Sequence, residues 1–326
     1  MKKIPVLIAD TFGDSEYLNP KQWDLIPHLK NRVMFHRVDS APTTKPHPHG
    51  WMVFSKFWPT TLQQKVFDNV EFHLMRFIDG IDTDVEWQVL DKAKELYNEH
   101  GCLVWNNSWG ADRGSGFDKV ISGFWEPWSN EVNKFTKENP NFIPIFSSGN
   151  NGPNYLAGWP QSQLENCYII GANQRSGKLA KFSCGSTNLS VVLGGFNSAV
   201  ADPFSGGYTF ASGTSFSGPA FGALALWYLA NNLNEEHTED VDFNNWIQSE
   251  VLKLEETKGD WNQYWGLGDL EPTYQVIAKE YDAWKTLKYP GMMRSMMSAK
   301  VFAPFHDKTM PCPKIPGAGD KPVLPK

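Results

Sequence analysis

The chain predicts an α/β fold built on a mostly parallel sheet, and three observations carry that expectation. Short runs rich in valine, isoleucine and leucine alternate with longer amphipathic segments, the pattern of strands covered by helices on both faces. A further run, beginning near Ser215, is apolar nearly all round, as a helix at the centre of a domain must be. At 326 residues the chain can form one large domain with a substantial core.

Strands are expected at "IPVLIAD" (4–10), "RVMFHRVD" (32–39), "VEFHLMRFI" (70–78), "CLVWNNS" (102–108), "FIPIFSS" (142–148), "CYIIGA" (167–172) and "LSVVLGG" (189–195). Between the third and fourth, Val85, Val89, Ala93, Leu96 and Tyr97 recur at helical spacing, and Gly101 supplies the stop. A second helix is expected over 117–139, kinked or broken at Pro127, which lacks an N–H. The apolar run after Ser215 reaches about Asn232. Beyond Tyr289 the periodicity fades and seven of the 22 prolines gather. A folded domain over 1–288 and an extended or partly disordered Pro/Met-rich tail over 289–326 follow.

Composition narrows the function. Apolar and charged fractions of 41% and 20% are those of a globular protein. A net charge of −6 gives no reason to expect nucleic acid or an anionic membrane as partner. The opening "MKKIPVLIAD" begins like a signal peptide, but its apolar stretch stops at Asp10 and no small-residue cleavage pattern follows. It reads as a buried strand. No run approaches a membrane span, so a cytoplasmic location is expected. Cys102, Cys167, Cys184 and Cys312 show no ligand-like spacing and are expected as reduced thiols.

Chemistry in such folds sits at strand ends. Asp10 closes the first strand. His49 precedes Gly50 in "HPHG" at the start of an apolar stretch; His47 competes with it, and Gly50 favours His49. Asn150 occupies the glycine turn "SSGNNGPN" directly after a buried strand. Ser215 lies in "SGTSFSGP", a small-residue turn opening the long apolar helix, where backbone N–H groups can face an anion. Singly, each has an ordinary reading: Asp10 as a strand-end cap, Asn150 as a turn residue, Thr214 or Ser215 as a helix N-cap. Together they put an acid, a base, an amide and a hydroxyl at loop edges of one sheet.

In that arrangement the chain resembles the subtilisin-like serine proteases. Their GTSxxxP motif is matched by Gly213-Thr214-Ser215-Phe216-Ser217-Gly218-Pro219, their GN turn by Gly149-Asn150, and their HG pair by His49-Gly50. Their D-S/T-G pattern is matched in part by Asp10-Thr11. "NNSWG" resembles the family's substrate-pairing edge strand, giving Ser108, Trp109 and Gly110. "AGWP" resembles the base of its specificity pocket, giving Gly158, and "WGLGDLEP" resembles its closing turn. The likeness covers about residues 4–285.

The resemblance implies a three-layer α/β/α fold and a serine endopeptidase acting on peptides or proteins. Ser215 would attack the scissile carbonyl, His49 would take and return the proton, and Asp10 would hold the imidazole tautomer. The Asn150 amide and the Ser215 N–H would stabilise the oxyanion. Ser108, Trp109 and Gly110 would accept an extended peptide by strand addition. Gly158 would floor an uncharged pocket favouring a large apolar or aromatic residue on the acyl side of the bond, the P1 residue. The family's calcium loops find no match, so no metal or other cofactor is expected.

Three departures stand out. Phe12 replaces the usual glycine after the acid. Trp51 and Met52 stand where a threonine and a second histidine are common. The family's pro-segment has no room before Asp10. An alternative reading is therefore an inactive scaffold that binds peptide or a protein partner. The serine-carboxyl peptidases share an SGTS-like motif, but His49 and Asn150 argue against them. Trp51, Trp109 and Trp159 flank the expected cleft, as packing or as substrate contacts. The tail, with Met292, Met293, Met296 and Met297, either docks on the catalytic domain or a partner, or is a solvated segment without function.

Overall fold

The computed structural model describes residues 3–12, 23–38, 48–76, 83–111, 118–174, 176–202, 207–233, 242–251, 262–264 and 266–279. Seven strands form one sheet: β1 (Ile4–Asp10), β2 (Val33–Arg37), β3 (Val70–Arg76), β4 (Leu103–Asn107), β5 (Phe142–Ser147), β6 (Tyr168–Asn173) and β7 (Leu189–Gly194). Their order is β2-β3-β1-β4-β5-β6-β7, and every pairing is parallel. All seven lie within a residue or two of their expected positions where the chain is described. Successive residues of β1 alternate between two cores: Val6 and Ile8 join one, Leu7 and Ala9 the other. Burial on both faces is why the run reads as continuously apolar.

One face carries α1 (His49–Ser55), α2 (Trp58–Thr61), α3 (Gln64–Asn69), α6 (Thr214–Asn232), α7 (Phe243–Glu250) and α8 (Glu271–Ala278); the other carries α4 (Thr83–His100) and α5 (Asp118–Glu138). The result is the expected three-layer α/β/α architecture. α4 buries Val85, Val89, Ala93 and Leu96 and stops at Gly101, as its spacing predicts. α6 is buried along most of its length, including Phe221, Leu224 and Leu226. Among the described residues, no helix is long and apolar enough to cross a membrane.

Three local expectations need correction. α5 runs unbroken through Pro127. The carbonyl that loses its helical donor there belongs to Gly123, four residues back and exposed, so water can satisfy it. The N-cap of α6 is Gly213, with no side-chain cap, so neither Thr214 nor Ser215 caps the helix. A hairpin of β8 (Ser198–Asp202) and β9 (Gly207–Ala211) was not expected. Its placement is tertiary: the Ala201 N–H donates to Ser55 Oγ of α1 at 2.9 Å. Cys102, Cys167 and Cys184 are buried and form no disulfide among the described residues, while Cys312 and the tail over 289–326 lie outside the described residues.

The closing turn runs beside β7. Leu267 N donates to Ser190 O at 2.8 Å, Val192 N to Gly268 O at 3.0 Å, and Leu270 N to Val192 O at 3.0 Å. This puts Asp269 in the interior, where burial raises its carboxyl pKa. A raised folded-state value stabilises the fold below the unfolded pKa and is lost as pH rises through the folded one. Asp269→Asn keeps an oxygen for the Glu271 N–H, now 2.8 Å from Oδ1. The variant is expected to gain unfolding temperature over the wild type on going from pH 4 to pH 7. Thermal melts at both pH values check this, and an equal difference at the two would contradict it.

Candidate active site

The start of α6 is governed by where its orphan N–H groups go. Gly213 N donates to Gly195 O at 2.8 Å, and Phe216 N folds back to Gly213 O at 3.1 Å. Thr214 N donates to the Asn150 side-chain oxygen at 2.8 Å. Among the described residues, the Ser215 N–H has no acceptor. Pro219 explains a second feature. It has no N–H for the carbonyl four residues back, which is that of Ser215. Ser108 Oγ takes the vacant place, donating to Ser215 O at 3.1 Å, and Asn106 Nδ2 in turn donates to Ser108 Oγ at 3.1 Å. Ser147 Oγ secures the neighbouring Thr214 O at 2.9 Å. The ends of β4 and β5 thus hold the turn that presents Ser215.

Asn150 is placed from the same turn. It follows Gly149, whose φ of +106° suits glycine. Its Oδ1 accepts from Thr214 N and also from Thr214 Oγ1 at 3.0 Å, and Gly149 N donates to Thr214 Oγ1 at 3.1 Å. A backbone N–H can only donate, so the atom facing it is the amide oxygen. The Nδ2 group is left as the donor on an exposed side chain. Thr214 is therefore the residue that orients Asn150. Its place in the GTS motif was the available signal.

Asp10 and His49 meet although 39 residues separate them. His49 Nδ1 lies 2.7 Å from Asp10 Oδ1, which also accepts from Thr11 N at 2.7 Å. An ionised carboxylate only accepts, so Nδ1 carries the proton and Nε2 is the basic nitrogen of the neutral ring. Asp10 is buried, and its Oδ2 has no partner among the described residues. His49 opens α1 as expected, and its ring centroid lies 6.0 Å from that of Phe216, next to Ser215.

Phe12 leaves this pair intact. Its ring is buried over Gly50, where an added Cβ would come within 3.0 Å of the ring and 3.1 Å of Asp10 Cβ. A larger residue after Asp10 is thus accommodated by the absence of a side chain after His49. Trp51 does not flank the cleft. It is 1% exposed and packs edge-on against Trp23, Phe54 and Trp58.

A cavity of about 240 Å³ opens beside Ser215 and Asn150. Trp109, Gly110, Gly158 and Gln161 line it with Ser108, and none of its lining residues is charged. The substrate-pairing edge strand expected at Ser108, Trp109 and Gly110 takes another form. β4 ends at Asn107 inside the sheet, and the chain continues irregularly to Ala111, which pairs antiparallel with Trp159. Ser108 is buried with its hydroxyl spent on α6, and Ser215 Oγ reaches Ser108 O only at 3.5 Å. Trp109 packs on Trp125, Trp128 and Phe146. A larger groove of about 850 Å³ lies at the opposite strand ends, near Tyr168 and Leu189, and holds none of these residues. Among the described residues, no three His, Cys, Asp or Glu side chains form a metal-holding group.

Solved structures share this architecture. A lanthipeptide protease is 17% identical, with 88% of each chain covered and a TM-score of 0.60. The patellamide maturation protease PatA is 18% identical over 88% of this chain and 98% of that one, with a TM-score of 0.60. A cold-adapted subtilisin-like serine proteinase is 18% identical over 82% of this chain and 88% of that one, with a TM-score of 0.56. At such identities the likeness establishes the fold. No curated protein matches the sequence. The subtilase family model matches residues 60–258, a span that includes Asn150 and Ser215 and begins after Asp10 and His49. By that match over more than half its length, the chain belongs to the subtilase family.

Proposed function

We propose that the protein is a serine endopeptidase using Ser215 as nucleophile, His49 as general base and acid, and Asp10 to orient the imidazole. The observation that carries this is the pair of unspent donors beside the Ser215 hydroxyl, its own N–H and Asn150 Nδ2. The Thr214 N–H and carbonyl and the Ser215 carbonyl are tied down. Two fixed donors next to a nucleophile suit the oxyanion of acyl transfer, because they need no reorganisation as charge develops. A serine hydroxyl also needs a base, and His49 Nε2 supplies it while Asp10 holds Nδ1.

On this reading Ser215 adds to the peptide carbonyl as its proton passes to His49. Collapse of the tetrahedral intermediate breaks the C–N bond, and His49 returns the proton to the amine. Water, deprotonated in turn by His49, then releases the acyl group. Trp109, Gly110 and Gly158 receive the P1 side chain in the uncharged cavity, favouring an apolar residue, aromatic ones included. Family membership and the protease neighbours support a peptidase in general. The chain is read as a catalytic domain over 1–288 with a separate tail.

A fluorophosphonate probe, which reacts only with an activated serine, is expected to label the protein at Ser215. A folded protein that neither labels nor cleaves would make it a binding scaffold. Asn150→Ala is expected to lower kcat by about 10²–10³ with a smaller change in KM, the scale of losing one oxyanion donor. Steady-state kinetics on a peptide amide checks it, and a change confined to KM would remove Asn150 from the oxyanion role.

A further inference from the structure

Gln161 has no part in the chemistry above, yet it lies at a junction. Its Nε2 donates to Trp109 O at 2.7 Å and to Ser147 O at 3.1 Å. Both neighbours are carbonyls, so the amide nitrogen must be the atom facing them. Both residues line the cavity beside Ser215, on two different segments. Trp109 is on the segment running to Ala111, and Ser147 ends β5 just before the Asn150 turn. One side chain thus ties together the two segments that line the cavity.

Gln161 also occupies space. It is 3% exposed, and a Cβ on Gly110 would fall 2.5 Å from its Nε2 and 2.6 Å from its Oε1. A side chain at residue 110 would displace the glutamine amide from where it now lies. Among the described residues the Gln161 Oε1 is buried without a donor, a cost that a purely space-filling residue would not carry.

We propose that Gln161 is the specificity-determining residue of the P1 pocket, its bulk setting the depth of the cavity and its amide the spacing of the walls. This rests on the peptidase reading, with the cavity as the site for an apolar P1 side chain. Removing the bulk should admit larger side chains. Removing only the N–H donors should loosen the walls without deepening the pocket.

The test compares two peptides identical except for Phe or Ala at P1. For Gln161→Ala, the Phe/Ala ratio of kcat/KM is expected to rise at least about tenfold, since a few methylenes of pocket decide such ratios. Gln161→Met keeps the volume without the donors. It is expected to hold the ratio within about threefold while lowering kcat. The same ratio is read without catalysis, as anisotropy of fluorescent peptides ending in Phe or Ala bound to Ser215→Ala, with and without Gln161→Ala. If Gln161→Ala fails to fold, Gln161→Asn, one methylene shorter, is expected to shift both ratios the same way. A folded variant of either kind with unchanged ratios overturns the proposal. Absence of probe labelling and hydrolysis would overturn the peptidase reading instead, and the binding ratio would still decide the role of Gln161.

Discussion

Ser215→Ala is expected to abolish peptide hydrolysis and probe labelling while leaving the fold as stable as the wild type. The loss in kcat should be on the order of 10⁶, the scale that removal of its nucleophile costs subtilisin. Stability should move by no more than about 0.5 kcal/mol, because the hydroxyl makes one contact at 3.5 Å. The backbone of the turn is held from elsewhere, by Ser108 on Ser215 O and Ser147 on Thr214 O. Circular dichroism melts and peptide kinetics on the same preparation check both halves. Retained hydrolysis would exclude Ser215 as nucleophile. Lost activity with a lowered melting temperature would show a structural part for the hydroxyl instead.

The division between what the sequence displays and what it hides has a physical basis. The central parallel strands are legible because burial on both faces demands apolar runs, and 142–148 or 189–195 cannot serve as surface segments, whereas β2 at the sheet edge is partly exposed. The β8–β9 hairpin is not. "SAVAD" and "GYTFA" are short and mixed, and what fixes them is a bond to Ser55, 146 residues away in sequence.

The site divides the same way. Asp10, His49, Asn150 and Ser215 stand out because each brings a reactive group to a strand end or a helix entry, for Asn150 and Ser215 in a turn rich in small residues. Gln161, Ser147 and Asn106 act by bonding backbone carbonyls or hydroxyls on other elements, and no spacing announces that. Phe12 looked like damage to the motif. It reads as a substitution only until Gly50 is seen beneath it. Trp51 likewise serves the core, since the first turn of α1 faces inward as well as toward Asp10.

Asp10→Asn probes the acid of the set and should cost about 10³–10⁴ in kcat at neutral pH. In a serine protease this change is damaging when the new amide turns its NH₂ toward the histidine and fixes the wrong tautomer. Here the Asp10 oxygen that meets His49 Nδ1 also accepts the Thr11 N–H at 2.7 Å and the Thr11 hydroxyl at 3.2 Å. An NH₂ at that position would face a backbone donor, so the asparagine oxygen should stay and keep the tautomer. What is lost is the negative charge that stabilises the imidazolium. The new NH₂ would also be buried where, among the described residues, Oδ2 has no partner. The expected loss therefore lies toward the lower end of that range, with KM little changed. Thr11→Gly combined with Asp10→Asn removes the hydroxyl but leaves the N–H, and should lose little more. Kinetics on the single and double variants decides the matter: activity within tenfold of wild type for Asp10→Asn would take Asp10 out of the catalytic set.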